Sequence, residues 1–324
     1  MRVLITDFGF PHVDQERALL EAAGAEVVTA QCRTAADVIA TAQEADVLLV
    51  QWAPIDRSVV TALSRCRLIV RYGIGVDNVD LQAAGERGIP VCNVPDYCID
   101  EVADQTLALA LALARQLPQT DAAVRGGTWK IMPPGRIPGF RETVFATAGF
   151  GRIARAVLTR AAAFGFITAA YDPFVAESEF TAARVRRLTL DTLISESGVL
   201  SLHLPLNAET RHLINARTLS RMRADAVIVN TARGGLIDTQ ALAAALEART
   251  LAGAGLDVFE TEPLPADHPL RRAPNTLLTS HTAWYSAASI PALQRRTAQT
   301  AVRFLAGQTL QNVVNQSFLA PPAA

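Results

Sequence analysis

The chain has 324 residues, half of them hydrophobic and 19% charged, with a formal net charge of -1. That length favours two domains over a single core, and the even charge balance removes the electrostatic basis for binding nucleic acid or an anionic membrane. Cys32, Cys66, Cys92 and Cys98 lack CxxC spacing and the histidines lack ligand spacing, so neither a disulfide framework nor a metal site is expected. The N-terminus enters a strand where a signal sequence would stand, and a cytoplasmic protein is expected.

Over the first hundred residues, apolar runs at 2–8, 25–30, 45–51, 67–73 and 90–94 alternate with helical spacing, as at 15–24 and 57–66. Strands separated by helices predict a parallel sheet. One long helix is expected over Ile99–Leu117, opened by Asp100 and Glu101, which complement the helix dipole. Its LALALALA run (107–114) is too short to span a bilayer. The Gly- and Pro-rich stretch 126–140 reads as irregular structure.

A second alternating series starts near Thr143, with strands expected at 143–148, 167–172, 199–205, 226–231, 253–259 and 276–281. Six strands joined by crossover helices make a dinucleotide-binding sheet. A last helix, 286–307, follows the sixth strand and is free to return to the first domain. The expected fold is therefore α/β, with two doubly wound parallel-sheet domains. Residues 1–98 plus 286–324 form one, and 99–285 form a nucleotide domain inserted within it. The Ala/Pro tail, 320–324, is expected to fray.

Gly149, Phe150, Gly151, Arg152, Ile153 and Ala154 fit G-x-G-x-x-A between a strand and a helix. Gly149 permits the tight turn, Gly151 lets the backbone approach a pyrophosphate, and the helix N-terminus attracts phosphate. Asp172, about twenty residues on, suits the ribose hydroxyls and repels the extra phosphate of NADP, so NAD is the expected cofactor. An ordinary turn-capping aspartate is the plainer alternative. Thr147 lies in the expected sheet centre, where its hydroxyl needs a partner.

Three polar residues in the last third end or follow strands: Arg233, Glu262 and His281. At the carboxyl edge of one sheet, an arginine, a carboxylate and an imidazole suit proton-coupled chemistry on a carboxylated carbonyl compound. Taken singly, Arg233 fits a cap or surface pair, Glu262 a solvated loop and His281 a core histidine equally well. His203, at the end of the strand in SLHLP, is expected to line the cofactor.

Several blocks in one order resemble the D-isomer-specific 2-hydroxyacid dehydrogenases, in the branch related to the C-terminal-binding proteins. They are RYGIGVDNVD (71–80), NVPDYCIDEVADQTLALALALAR (93–115), GFGRIA (149–154), YDP (171–173), SLHLPLNAETRHLIN (201–215), VNTARGGLID (229–238), GAGLDVFETEPL (253–264) and HTAWYS (281–286). The resemblance implies a Rossmann-type NAD domain inserted in a flavodoxin-like substrate (lid) domain. It implies an NAD-dependent oxidoreductase interconverting a 2-oxo acid and a D-2-hydroxy acid, with a homodimer as the assembly. Arg233 would bind the substrate carboxylate, His281 would be the acid/base and Glu262 its partner. Ile74 and Gly75 would offer main-chain N–H groups to the substrate, and Arg71 and Trp284 would face it. Cofactor contacts would come from 149–153, Asp172, His203, Pro205, Thr210, Thr231, Ala232 and Asp257. A non-enzymatic, NAD(H)-responsive corepressor-like protein is the alternative. The chain departs from the family pattern at Ala146, Thr147 and Ala148, at Gly198, where Asp or Asn is usual, and at Ser280.

Overall fold

The computed structural model describes residues 1–132 and 137–319. The expectation for the 320–324 tail and part of that for the 126–140 stretch lie outside them. The chain divides into two compact units, Met1–Cys98 with Tyr285–Ala324, and Ile99–Trp284.

The first unit contains β1 (Arg2–Ile5), α1 (Asp14–Ala22), β2 (Glu26–Thr29), α2 (Ala35–Thr41), β3 (Val47–Val50), α3 (Arg57–Ala62), β4 (Leu68–Arg71), α4 (Leu81–Glu86) and β5 (Val91–Cys92). Its strands run parallel in the order β2-β1-β3-β4-β5, the flavodoxin-like arrangement. Strands covered on both faces must be apolar throughout. Val47, Leu48, Leu49 and Val50 are all 0% exposed.

The second unit contains α5 (Ile99–Ala114), α6 (Leu117–Arg125), β6 (Val144–Ala148), α7 (Arg152–Ala163), β7 (Ile167–Tyr171), α8 (Glu177–Ala183), β8 (Arg186–Arg187), α9 (Leu190–Glu196), β9 (Val199–Leu202), α10 (Ala216–Leu219), β10 (Val227–Asn230), α11 (Thr239–Glu247), β11 (Gly253–Leu256) and β12 (Thr276–Leu278). The chain then returns to the first unit through α12 (Ser289–Leu305). The second sheet is parallel, in the order β12-β11-β10-β9-β6-β7-β8. Its direction of winding reverses between β6 and β9, where doubly wound sheets open a ligand crevice.

Helix α5 explains the glycines of β11. It buries Leu107, Leu109 and Leu113 on its inner face. A Cβ at Gly255 would stand 2.9 Å from the Leu109 Cβ, and one at Gly253 would stand 3.2 Å from Leu113 Cδ2. Only glycine lets the helix lie this close.

Three expectations are corrected. The helix expected over 99–117 stops at Ala114, because Gln116 turns left-handed (φ 53°) and Pro118 fits only the opening turn of the new helix α6. The sheet has a seventh strand, β8, made of two exposed arginines that give no apolar signal. The return crossing falls after Trp284, one residue before the expected boundary. The Asp257 contacts end at Ala283, and Ser286 already serves the start of α12 by accepting from Ser289 N at 2.9 Å.

Among the described residues, no helix is long and apolar enough to cross a membrane, and no group of three His, Cys, Asp or Glu residues could hold a metal. The four cysteines are buried, and burial pushes the Cys66 and Cys92 thiols up to about 12.

Candidate active site

Strand register sets the site. Ala148, Tyr171, Leu202, Asn230, Leu256 and Leu278 are mutual partners across the second sheet. The residues that follow them (Gly149, Asp172, His203, Thr231, Asp257 and Thr279) therefore leave the sheet at one level, along its carboxyl edge.

At the switch between β6 and β9 the backbone is too crowded for a side chain. Gly149 has φ +98°, and a Cβ there would stand 2.5 Å from the His203 carbonyl oxygen. Gly149 N donates to Tyr171 O at 2.7 Å. The buried Thr147 finds its partner here, its hydroxyl donating to Gly149 O at 2.8 Å. Gly151 opens α7 with no side-chain cap, and a Cβ on it would meet nothing within 4 Å. The α7 N-terminus thus faces open space with uncapped N–H groups, which suits a phosphate.

Asp172 holds this loop. One carboxylate oxygen accepts from Phe150 N and the other from Phe174 N, both at 3.0 Å. Each oxygen keeps acceptor capacity for a hydroxyl. The Phe150 side chain is packed inward, which leaves the backbone of this loop as its exposed part. The ring is 1% exposed and stacks on Phe180 at 4.4 Å, with the Arg155 guanidinium 4.0 Å above it. Arg152 is exposed and Ile153 half-buried at the helix start.

Along β9 and β10 the expected cofactor residues have definite tasks. His203 Nε2 lies 2.9 Å from Ser201 Oγ, and burial drives the imidazole down to about 3, so the ring is neutral. The Thr210 hydroxyl donates to Pro205 O at 2.7 Å, closing the loop between them. Thr231 Oγ1 bonds Thr106 Oγ1 of α5 at 2.8 Å. Asn230 clasps the turn around Ala232, accepting from its N–H at 3.0 Å and donating to Arg233 O at 2.8 Å.

Gly234 is why Arg233 and Glu262 lie near one another. A Cβ at Gly234 would fall 1.9 Å from the Phe259 carbonyl carbon, so the two loops touch backbone to backbone. Glu262 accepts from Phe259 N at 2.9 Å, and its other oxygen accepts from His281 Nδ1 at 2.7 Å. Burial raises the Glu262 carboxyl, but the His281 and Phe259 hydrogen bonds and the His281 and Arg233 charges outweigh it and hold the pKa below its usual value. With Nδ1–H donated to Glu262, a neutral ring carries its acceptor lone pair on Nε2.

His281 takes a left-handed conformation (φ 56°), which costs a residue with a Cβ about 1–2 kcal/mol. Asp257 offsets that cost. Its carbonyl accepts from His281 N at 2.7 Å, and its carboxylate accepts from Thr282 N and Ala283 N, both at 2.9 Å, and from the Thr279 hydroxyl. Asp257 is 1% exposed, and these bonds make it the residue that positions the His281 loop. Trp284 follows this loop, half-buried.

In the first unit, Arg71 ends β4 and its guanidinium lies over the Trp52 ring at 5.5 Å. Gly73 makes the room: φ is +137°, and a Cβ would stand 1.6 Å from Arg71 Nη1. Asn93 Nδ2 donates to Ile74 O at 2.6 Å and steadies the Ile74–Gly75 turn. Gly73, Asn93 and Trp52 were not among the expected site residues, because their roles appear only through contacts distant in sequence.

Gly198 also has a local cause. A Cβ there would stand 2.6 Å from Thr143 Cγ2, and Thr143 is fixed by donating to Gly139 O at 2.8 Å. Larger residues at 198 are incompatible with this threonine.

Comparison with known proteins identifies the family. Residues 107–283 match the family described as D-isomer specific 2-hydroxyacid dehydrogenase, NAD binding domain. The chain is 38% identical over 266 residues to a glyoxylate reductase of Korarchaeum cryptofilum, which covers 81% of this chain and 80% of that one. It is 38% identical over 279 residues to the D-3-phosphoglycerate dehydrogenase of Mycobacterium tuberculosis, covering 86% of this chain but only 52% of that longer relative. A solved D-lactate dehydrogenase from Aquifex aeolicus, complexed with NAD and lactic acid, superposes with TM-score 0.85 at 26% identity, covering 94% of this chain and 96% of that one. The chain belongs to the D-isomer specific 2-hydroxyacid dehydrogenases, an NAD-dependent oxidoreductase family.

Proposed function

We propose that the protein interconverts a 2-oxo acid and a D-2-hydroxy acid at the carboxyl edge of its second sheet. The observation that carries this reading is the 2.7 Å bond from His281 Nδ1 to Glu262 beside the Arg233 loop. NADH, when bound, supplies the hydride. Arg233 presents a planar fork to the substrate carboxylate, and its charge stabilises the negative charge growing on the carbonyl oxygen. His281 Nε2 gives that oxygen its proton, or takes the alcohol proton in the reverse direction. Glu262 accepts from Nδ1 and fixes the ring orientation. Asp172, with acceptor capacity left on both oxygens, is assigned to the ribose hydroxyls. From the first unit we assign Ile74, Gly75 and Arg71 to the substrate, and from the second Trp284. A second cation at Arg71 favours acids with an anionic or strongly polar side group, such as a dicarboxylic or phosphorylated acid. For the assembly we propose a homodimer through the exposed apolar residues Leu117, Val124, Trp129, Ile131 and Met132.

The test is an NADH-oxidation screen over 2-oxo acids graded in size and charge. Turnover with at least one, and a larger kcat/KM for those with an anionic side group, is expected. Tight NADH binding without turnover across the panel would favour a non-enzymatic role.

A further inference from the structure

We propose that the first unit carries a second ligand site, for a small phosphorylated polyol or hydroxy acid. The site is a cavity of about 330 Å³ between α12 and the segments that follow β5 and α12. That volume is at the small end of ligand pockets, which run from about 300 to 1,000 Å³. It goes beyond the reaction assigned above, since none of the residues assigned there to substrate or cofactor lines it.

The chemistry is anion recognition. Arg296 and Arg303, seven residues apart on α12, share a helix face, and Arg295 stands beside them. Arg296 is paired with Asp96 on the opposite wall. Among the described residues, no carboxylate pairs with Arg295 or Arg303, so two guanidinium charges at the cavity are uncompensated. Guanidinium forks match phosphate oxygens with paired hydrogen bonds. Asn93 and Asn312 supply amides for hydroxyl groups and tie the walls together, Asn93 N donating to Asn312 O at 3.3 Å. No histidine lines the cavity and its one carboxylate is engaged by Arg296, so the site binds and does no acid–base chemistry. The Asn93 side chain also holds Ile74 O, so a bound ligand would stiffen the Ile74–Gly75 turn.

The experiment is titration of the full-length protein with glycerol 3-phosphate, glycerol and citrate, followed by calorimetry and thermal unfolding. Glycerol 3-phosphate is expected to raise Tm by roughly 2–4 °C at saturation, and glycerol to have no effect. The doubly substituted R295Q/R303Q protein should lose at least tenfold in affinity while its basal turnover is unchanged. Arg233→Gln should bind as the parent does. No binding by the parent, equal binding by R295Q/R303Q, or loss of binding in Arg233→Gln would each overturn the proposal. Tighter binding of citrate than of glycerol 3-phosphate would overturn the phosphate assignment.

Discussion

Asp7 in the first unit and Asp257 in the second do the same structural job. Each lies just past the end of a parallel strand, 4% and 1% exposed, and receives N–H groups from the loop of a neighbouring element. Asp7 accepts from Gln51 N at 3.1 Å and Trp52 N at 2.5 Å, beyond β3. Asp257 accepts from Thr282 N and Ala283 N, beyond β12. The difference lies in what the fastened loop presents. In the first unit it is Trp52, whose ring lies under the Arg71 guanidinium. In the second it is His281, to which the proposed reaction assigns the holding and release of a proton. A buried carboxylate is thus a general device for fixing a loop at a sheet edge, and the residue it fixes determines whether that edge can only bind or can also react.

The comparison is sharpened most by removing the reactive member. His281→Ala should lower kcat by roughly 10²–10⁴ through lost general acid–base catalysis, with NADH affinity nearly unchanged. Steady-state kinetics and fluorescence titration measure both, and turnover within a few-fold of the parent would remove His281 from its role.

Next come the two aspartates. Asp257→Asn and Asp7→Asn each set an amide NH2 against a backbone donor, and a buried group left unsatisfied costs about 1–3 kcal/mol. Both should lower Tm, but only Asp257→Asn should also lower kcat, by roughly 10–100-fold, because it loosens the left-handed His281 turn. Asp7→Asn should act on KM. If both variants lost kcat equally, the aspartates would not differ in what they hold.

The strands and the glycine loop were legible because they rest on local signals: buried apolar runs, G-x-G-x-x-A, and an acid at the end of ITAAYD. What was not legible depends on contacts between distant segments. Gln116 bears no mark of its left-handed turn, and the Arg186–Arg187 strand has no apolar residue. Asp257 stands in a block that resembles a cofactor contact, and only coordinates reveal its hydrogen bonds turned toward the His281 loop. Gly73 needs the Arg71 side chain in place before its missing Cβ has meaning, as Gly198 needs Thr143. The Arg233–Glu262–His281 trio lay between, since each residue follows a strand but its convergence needed the register of β10, β11 and β12.

A smaller effect tests the binding edge. Gly73→Ala would drive a methyl into Arg71 Nη1 and displace the guanidinium from Trp52. KM for 2-oxo acids with an anionic side group should rise roughly tenfold with kcat nearly constant, the signature of lost uniform binding. KM for uncharged analogues should change little. An equal rise for both kinds would mean that Arg71 does not read substrate charge.

The smallest effect is on the pH dependence of stability, and it separates His203 from Glu262. Both are lowered in the folded protein, so both favour folding at neutral pH and lose that contribution in acid. The windows differ. An unfolded His203 binds its proton near its ordinary value of 6.5, whereas in the folded protein it stays neutral to about 3, so its share begins to fall as soon as pH drops below 6.5. Glu262 contributes nothing to the slope until pH approaches 4.5, its ordinary value. Glu16, raised by burial, works in the opposite sense and gains stability as pH falls. Between pH 6.5 and 5 the loss of unfolding free energy should therefore carry the His203 signature, and His203→Gln should flatten it there while leaving the steeper decline below pH 4.5. Urea denaturation at half-unit pH intervals measures the slope, and an unchanged slope between pH 6.5 and 5 would mean that the His203 ring is solvated enough to protonate in the folded protein.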